Sequence, residues 1–262
     1  MHLMRLTFPT PSLLSRSPGL LVKSLVLLAI GFMTACSTVS PSMSTAHRST
    51  DRVWQAEDQL KWASVTIPGK ALTKYSLSKV SADGTSQRSL HANANASASM
   101  LHNPVHFEPS QFSTLSFSWL VAQLIEGADM THREHSDSPV RLILAFDGDR
   151  NKFSTKNAML SELTHALTGQ PMPYATLMYV WSNDKPVNNI IPNNRTDRIQ
   201  KIVVESGATR LNQWLTYERN IKADFEKAFG EPPGALMGIG LMTDSDNTRS
   251  HAQAWYGTIE LK

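Results

Sequence analysis

Between Phe112 and Val121 the residues Leu115, Phe117, Trp119 and Val121 alternate with Ser116, Ser118 and Leu120, a period of two that a half-buried β-strand satisfies and a helix does not. The pattern returns at Pro139 to Phe146, with Val140, Leu142, Leu144 and Phe146 on one side and Arg141, Ile143 and Ala145 on the other. Short β-branched or apolar runs at 62–67, 71–80, 87–92, 174–181, 200–205, 235–242 and 254–261 read as further strands, and 214–217 as an extension of a neighbour. Pro68-Gly69 and Asp83-Gly84 supply turns. The Ala/Asn/Ser-rich segment His91 to Pro104 reads as a flexible or edge piece as readily as a strand.

Two stretches carry a helical period. Met159, Leu160, Leu163 and Leu167 follow a cap at Ser154 or Thr155 and stop at Gly169 and Pro171, which predicts a helix covering one end of a sheet. Tyr217, Ile221, Phe225 and Ala228 or Phe229 predict a second, with Glu218 and Lys222 as an i, i+4 pair and Gly230-Pro232 as its stop. About ten strands against two helices, with no regular alternation, predict a mainly β fold: a two-sheet antiparallel β-sandwich, jelly-roll-like, with two inserted helices. A mixed α+β sheet is the alternative.

The N-terminus follows a different logic. Arg5, Arg16 and Lys23 precede the apolar run Ser24 to Ala35, too short to cross a hydrocarbon layer of ~30 Å and of the length of a signal-peptide core. It ends in Met33-Thr34-Ala35-Cys36, which resembles the bacterial lipoprotein signal, so Cys36 is expected to receive lipid and become the mature N-terminus. Cys36 is the one cysteine of the chain, which leaves no partner for an intramolecular disulfide. Ser37 to Thr50 is Ser/Thr-rich and reads as a tether that reaches about 50 Å at full extension. The expected division is thus 1–35 signal, 36–50 lipidated Cys and tether, and 51–262 one domain. Ser37 after the Cys points to the outer membrane, facing the periplasm, if the cell is Gram-negative. The signal carries three of the 25 Lys and Arg and none of the 22 Asp and Glu, so the mature chain is formally neutral. That removes the electrostatic argument for nucleic-acid binding.

Three apolar strands end in acidic loops: Phe146 before Asp147 and Asp149, Trp181 before Asp184, and Met242 before Asp244, Asp246 and Asn247. If these ends share one rim, the crowded carboxylates call for a cation such as calcium or a hydroxyl-rich ligand, and Trp181 could offer an aromatic face to a sugar ring. The same residues also suit ordinary turns. Asp244-x-Asp246-x-Thr248 after a strand looks like a phosphotransferase motif, but too little chain follows it to supply the later Lys and carboxylates that such chemistry needs. His102 and His106, with Pro104 between them, and His132-Arg133-Glu134-His135 lack the longer signature of a metal site.

A series of ordered pieces resembles the bacterial exported domain-of-unknown-function family DUF3047 from about Trp54 to the C-terminus. The pieces are Ser116-Phe-Ser-Trp119, Val140-Arg141 with Ala145-Phe-Asp-Gly148, Gly169 to Ser182, Ile202 to Gly207, Ala223-Asp224 with Phe229-Gly-Glu-Pro-Pro233, and Thr243 to Thr248. The resemblance implies location and architecture and transfers no activity. The closing strand is also similar to those of jelly-roll carbohydrate-binding modules, departing from them at Thr258, where an Asp often precedes the Ile. The expectation is a cell-envelope lipoprotein that binds a glycan or another envelope ligand without catalysis. Two rivals stand beside it: an envelope hydrolase using two carboxylates of the rim, and a structural lipoprotein with no small-molecule site.

Overall fold

The computed structural model describes residues 52–82 and 84–262, and in it the alternating segments become the strands of two stacked sheets. The signal, Cys36, the tether and Asp51 lie outside the described residues, as do Asp83 and the side chains of Leu167 and Thr168. One sheet contains β1 (Val53–Trp54), β3 (Lys74–Ala82), β4 (Thr85–Asn95), β6 (Thr114–Val121), β11 (Leu215–Asn220) and β13 (His251–Leu261). Its order is β11-β6-β13-β4-β3, with β1 paired to β13. The other contains β2 (Ala63–Thr66), β5 (Ala98–Phe107), β7 (Ser138–Phe146), β8 (Ala175–Ser182), β9 (Ile190–Pro192), β10 (Ile199–Ser206) and β12 (Leu236–Asp244), in the order β2-β5-β12-β7-β8-β10-β9. The helices are α1 (Ala56–Gln59), α2 (Thr155–Thr168) and α3 (Ile221–Phe229).

The fold is therefore a mainly β two-sheet sandwich. The period-two positions of β6 and β7 point inward: Leu115, Phe117, Trp119 and Val121 meet Val140, Leu142, Leu144 and Phe146 in one buried cluster. Phe117 stacks on Tyr179 at a centroid distance of 5.5 Å, and Phe225 of α3 meets Phe146 edge-on at 4.7 Å, closing one end of the sandwich. Each such side chain taken out of water contributes about 1.5–3 kcal/mol.

Several expectations need correction. The sheets are antiparallel except for β8 and β10, which run parallel, so residues 183–198 must cross back to the starting end of β8. His91 to Pro104 is neither flexible nor an edge: it forms the end of β4 and most of β5, which pairs on both sides. Pro104 fits there because it sits at a bulge against Leu236 and Gly238, where a ladder hydrogen bond is already missing. His102 and His106 are on one strand, where i, i+4 residues stand about 13 Å apart and cannot share a metal. Tyr217 and Glu218 belong to β11; Glu218 pairs with Lys262 rather than Lys222, and α3 starts from the Asn220 cap.

The helix α2 differs more. Ser154 caps α2 and Gly169, at φ 75°, ends it, as its residues predict. Its attachment, however, is polar: buried Asn157 accepts a hydrogen bond from Thr196 and donates to Asp197, and buried Ser161 meets Arg150. Met159 and Leu163 are left 67% and 54% exposed.

Candidate functional site

The site is on the outer face of the seven-stranded sheet, away from the sandwich core. Arg141 and Met242 are cross-strand partners there, and beyond them a bulge in β7 adds one residue between Arg141 and Ser138 relative to β12. Pro139 falls within that bulge, where its missing N–H is tolerated. The bulge brings Asp244 under the Arg141 guanidinium: Nε donates to Oδ1 at 2.7 Å and an Nη to Oδ2 at 2.9 Å. Ser138 N–H donates to the same Oδ1, and Arg141 also donates to the Ser136 carbonyl at 2.6 Å. Both side chains are about 5% exposed. Burial pushes the Asp244 carboxyl up, and the Arg141 charge opposes that shift. Burial likewise works against the Arg141 charge, which Asp244 more than restores.

The turn after β12 is fixed from below by Asp137. Its Oδ1 accepts from Asn247 N–H and side-chain amide, and its Oδ2 from Thr248 N–H and hydroxyl. Asp246 pairs with Lys70, which follows β2. Carboxylate oxygens of Asp137, Asp244 and Asp246 all lie within 4.8 Å of one another. Arg141 and Lys70 pair with two of these three carboxylates, and the third, Asp137, is held by four hydrogen bonds from the turn.

Beside the pair, Lys201 of β10 is 2% exposed. Its Nζ has a single hydrogen bond, a 3.5 Å contact to the Met130 carbonyl, among the described residues. An ammonium has three donors, so most of this one's capacity is unmet. Burial, with the Arg141 charge adding to it, pushes the Lys201 amine down to about 8. Met130 belongs to a strap, residues 129–137, that packs on Val180, Ile191 and Val203 of the outer face.

Between the strap, α2, the 193–196 loop and the 245–247 turn lies an open cleft of about 400 Å³. Met178 and Met242 face it beside Lys201 and Arg141, Leu160 and Thr164 of α2 form one wall, and Arg133, Arg195 and Lys70 stand around it. Among the described residues, five cations thus face two carboxylates, and no aromatic ring lines the space. Asn194 bridges the loop to the strap through the Thr131 carbonyl.

The sequence-predicted rim is split by strand direction. β7 and β12 run antiparallel, so Asp244 stands opposite Ser138 while Asp147 and Asp149 follow Phe146 at the far end. There Asp147 caps Gly148 and Asp149 caps Asn151 as turn residues do. Asp184 leaves β8 at the Asp244 end but pairs with Lys185. Trp181 cannot stack on a sugar: its ring is fully buried in the core, and its N–H donates to the Gly207 carbonyl. Asp246 and Asn247 do adjoin the cleft. Sequence reasoning missed Asp137, Arg141 and Lys201 as site residues. The available signal was Arg141 between Val140 and Leu142, and Lys201 directly before the apolar run Ile202 to Val204.

The model of the family described as "Protein of unknown function (DUF3047)" matches residues 60–260. No curated protein matches the chain. Among solved structures, a family 11 carbohydrate-binding module from Clostridium thermocellum, in complex with a beta-1,3-1,4-mixed-linked tetrasaccharide, overlaps at TM-score 0.38 and 13% identity, over 80% of this chain and 94% of that one. The xyloglucanase domain of NopAA from Sinorhizobium fredii overlaps at 0.38 and 10% identity, over 77% and 98%. A cellulase derived from the Cel12A enzyme of Rhodothermus marinus gives 0.37 and 12%, over 80% and 99%. At these scores the overlap bears on neither ligand nor reaction.

Proposed function

The chain belongs to the DUF3047 family, and we propose that it is a lipid-anchored envelope protein that binds a glycan or another envelope ligand in the outer-face cleft without transforming it. The observation that carries this reading is the state of the carboxylates. Acid–base hydrolysis of a glycoside needs two carboxyl groups free to give and take a proton at the substrate. Here Asp244 is held bidentate by Arg141, Asp137 is spent on four hydrogen bonds to the turn, and Asp246 is paired to Lys70. What remains is a preformed concavity with apolar floor residues and directed donors, the make-up of a recognition site.

The anchoring half of the proposal rests on Met33-Thr34-Ala35-Cys36 and the basic and apolar segments before it. Both halves are tested by one preparation. Full-length protein expressed in a bacterial host is expected in the membrane fraction, and C36S is expected to leave it. Purified from detergent, the parent protein is expected to retain glycan on an array or in a cell-wall pull-down. Leu160→Trp, which fills the cleft from α2, is expected to lose that retention with an unchanged melting temperature. Retention by L160W equal to the parent would overturn the cleft as the binding site.

A further inference from the structure

We infer that the cleft is built for an anionic saccharide, one bearing carboxylate groups, with Lys201 as the buried charge that meets it; this rests on the cleft being the binding site. Three of its five cations have no carboxylate partner among the described residues. Arg141 is neutralised by Asp244 and Lys70 by Asp246, while Arg133, Arg195 and Lys201 are left over. Arg133 of the strap and Arg195 of the 193–196 loop are exposed and line the cleft, so their charge is open to a ligand from solvent.

Lys201 is the decisive member. Burying an ammonium is unfavourable unless its donors are met, and a lone 3.5 Å contact to a carbonyl does not meet them. The buried amine lines the cleft next to Arg141, and the one carboxylate that attracts it, Asp244, is already bound by that guanidinium, so an anion seated on the floor would supply the missing acceptors and a counter-charge of its own in one contact. A neutral saccharide would leave that charge uncompensated. Neutral sugars are in addition commonly gripped by an aromatic face, and the cleft offers none among the described residues.

The test is calorimetric titration of the intact protein with tetramers of galacturonic, mannuronic and glucuronic acid, each beside its uncharged methyl ester. At least one acid is expected to bind, and its ester to bind about tenfold or more weakly. Lys201→Met, which keeps an unbranched stem of similar length, is expected to reduce acid binding by about tenfold or more and to narrow the gap between acid and ester. R133Q/R195Q, confined to exposed positions, is expected to weaken acid binding and to flatten its dependence on salt. That double variant keeps the inference open to refutation even if K201M is poorly folded. Equal affinity for acid and ester, or acid binding unchanged in R133Q/R195Q, would overturn the anionic assignment while leaving the cleft as a glycan site. Acid binding that survives L160W would overturn the cleft reading itself.

Discussion

Arg141 and Asp244 are a buried ion pair whose two halves depend on each other. Removing one leaves the other charged and desolvated, so Asp244→Ala is expected to lower the unfolding free energy by about 3–5 kcal/mol in urea titration. The double variant R141M/D244L, which removes both charges, is expected to recover most of that loss. Lys201 gives a pH signature. Its amine is pushed down to about 8 in the folded chain, below the ordinary 10.5. Below pH 8 both folded and unfolded states hold the proton, and the full destabilisation is present. Between about pH 8 and 10.5 the unfolded chain binds the extra proton, so stability rises with pH, by about 3 kcal/mol over the window. The charged groups that act on this amine are Arg141 on β7, which lowers it, and Asp244 on β12, which opposes that shift. Denaturation midpoints at successive pH values are expected to rise in the parent relative to K201M. Period-two alternation correctly placed Arg141 on the side of β7 away from the core, since side is a local property. Its partner lies 103 positions away, and which carboxylate it meets follows from register and a bulge, which alternation does not encode.

At the scale of elements, the 245–250 turn is a case of one side chain holding a connection. Asp137 accepts four hydrogen bonds from Asn247 and Thr248. Asp137→Ala is expected to cost about 2–3 kcal/mol and to raise hydrogen exchange at the amides of 247 and 248, while α3 amides stay protected. Most strands and both long helices were legible because caps, turns and apolar spacing are written within a few residues. The orientation of α2 was not. Met159 and Leu163 suggested the buried face, yet Asn157 and Ser161 are the residues that anchor it, through hydrogen bonds to partners whose nearness only the fold decides. The acidic rim failed for a related reason. Three strand ends rich in Asp look alike in sequence, but neighbouring antiparallel strands end on opposite sides of the sheet, so Asp147 and Asp244 could not meet.

Across the whole molecule, both sheets are completed by the same short stretch of chain. β12 lies between β5 and β7, and β13 between β6 and β4, so the last two strands in sequence are interior strands of the two layers. Every earlier strand beside them waits for a neighbour from residues 236–261. Contacts of this sequence separation form late and slowly. For a chain made from its N-terminus, this order leaves both layers unfinished until the final strands are delivered.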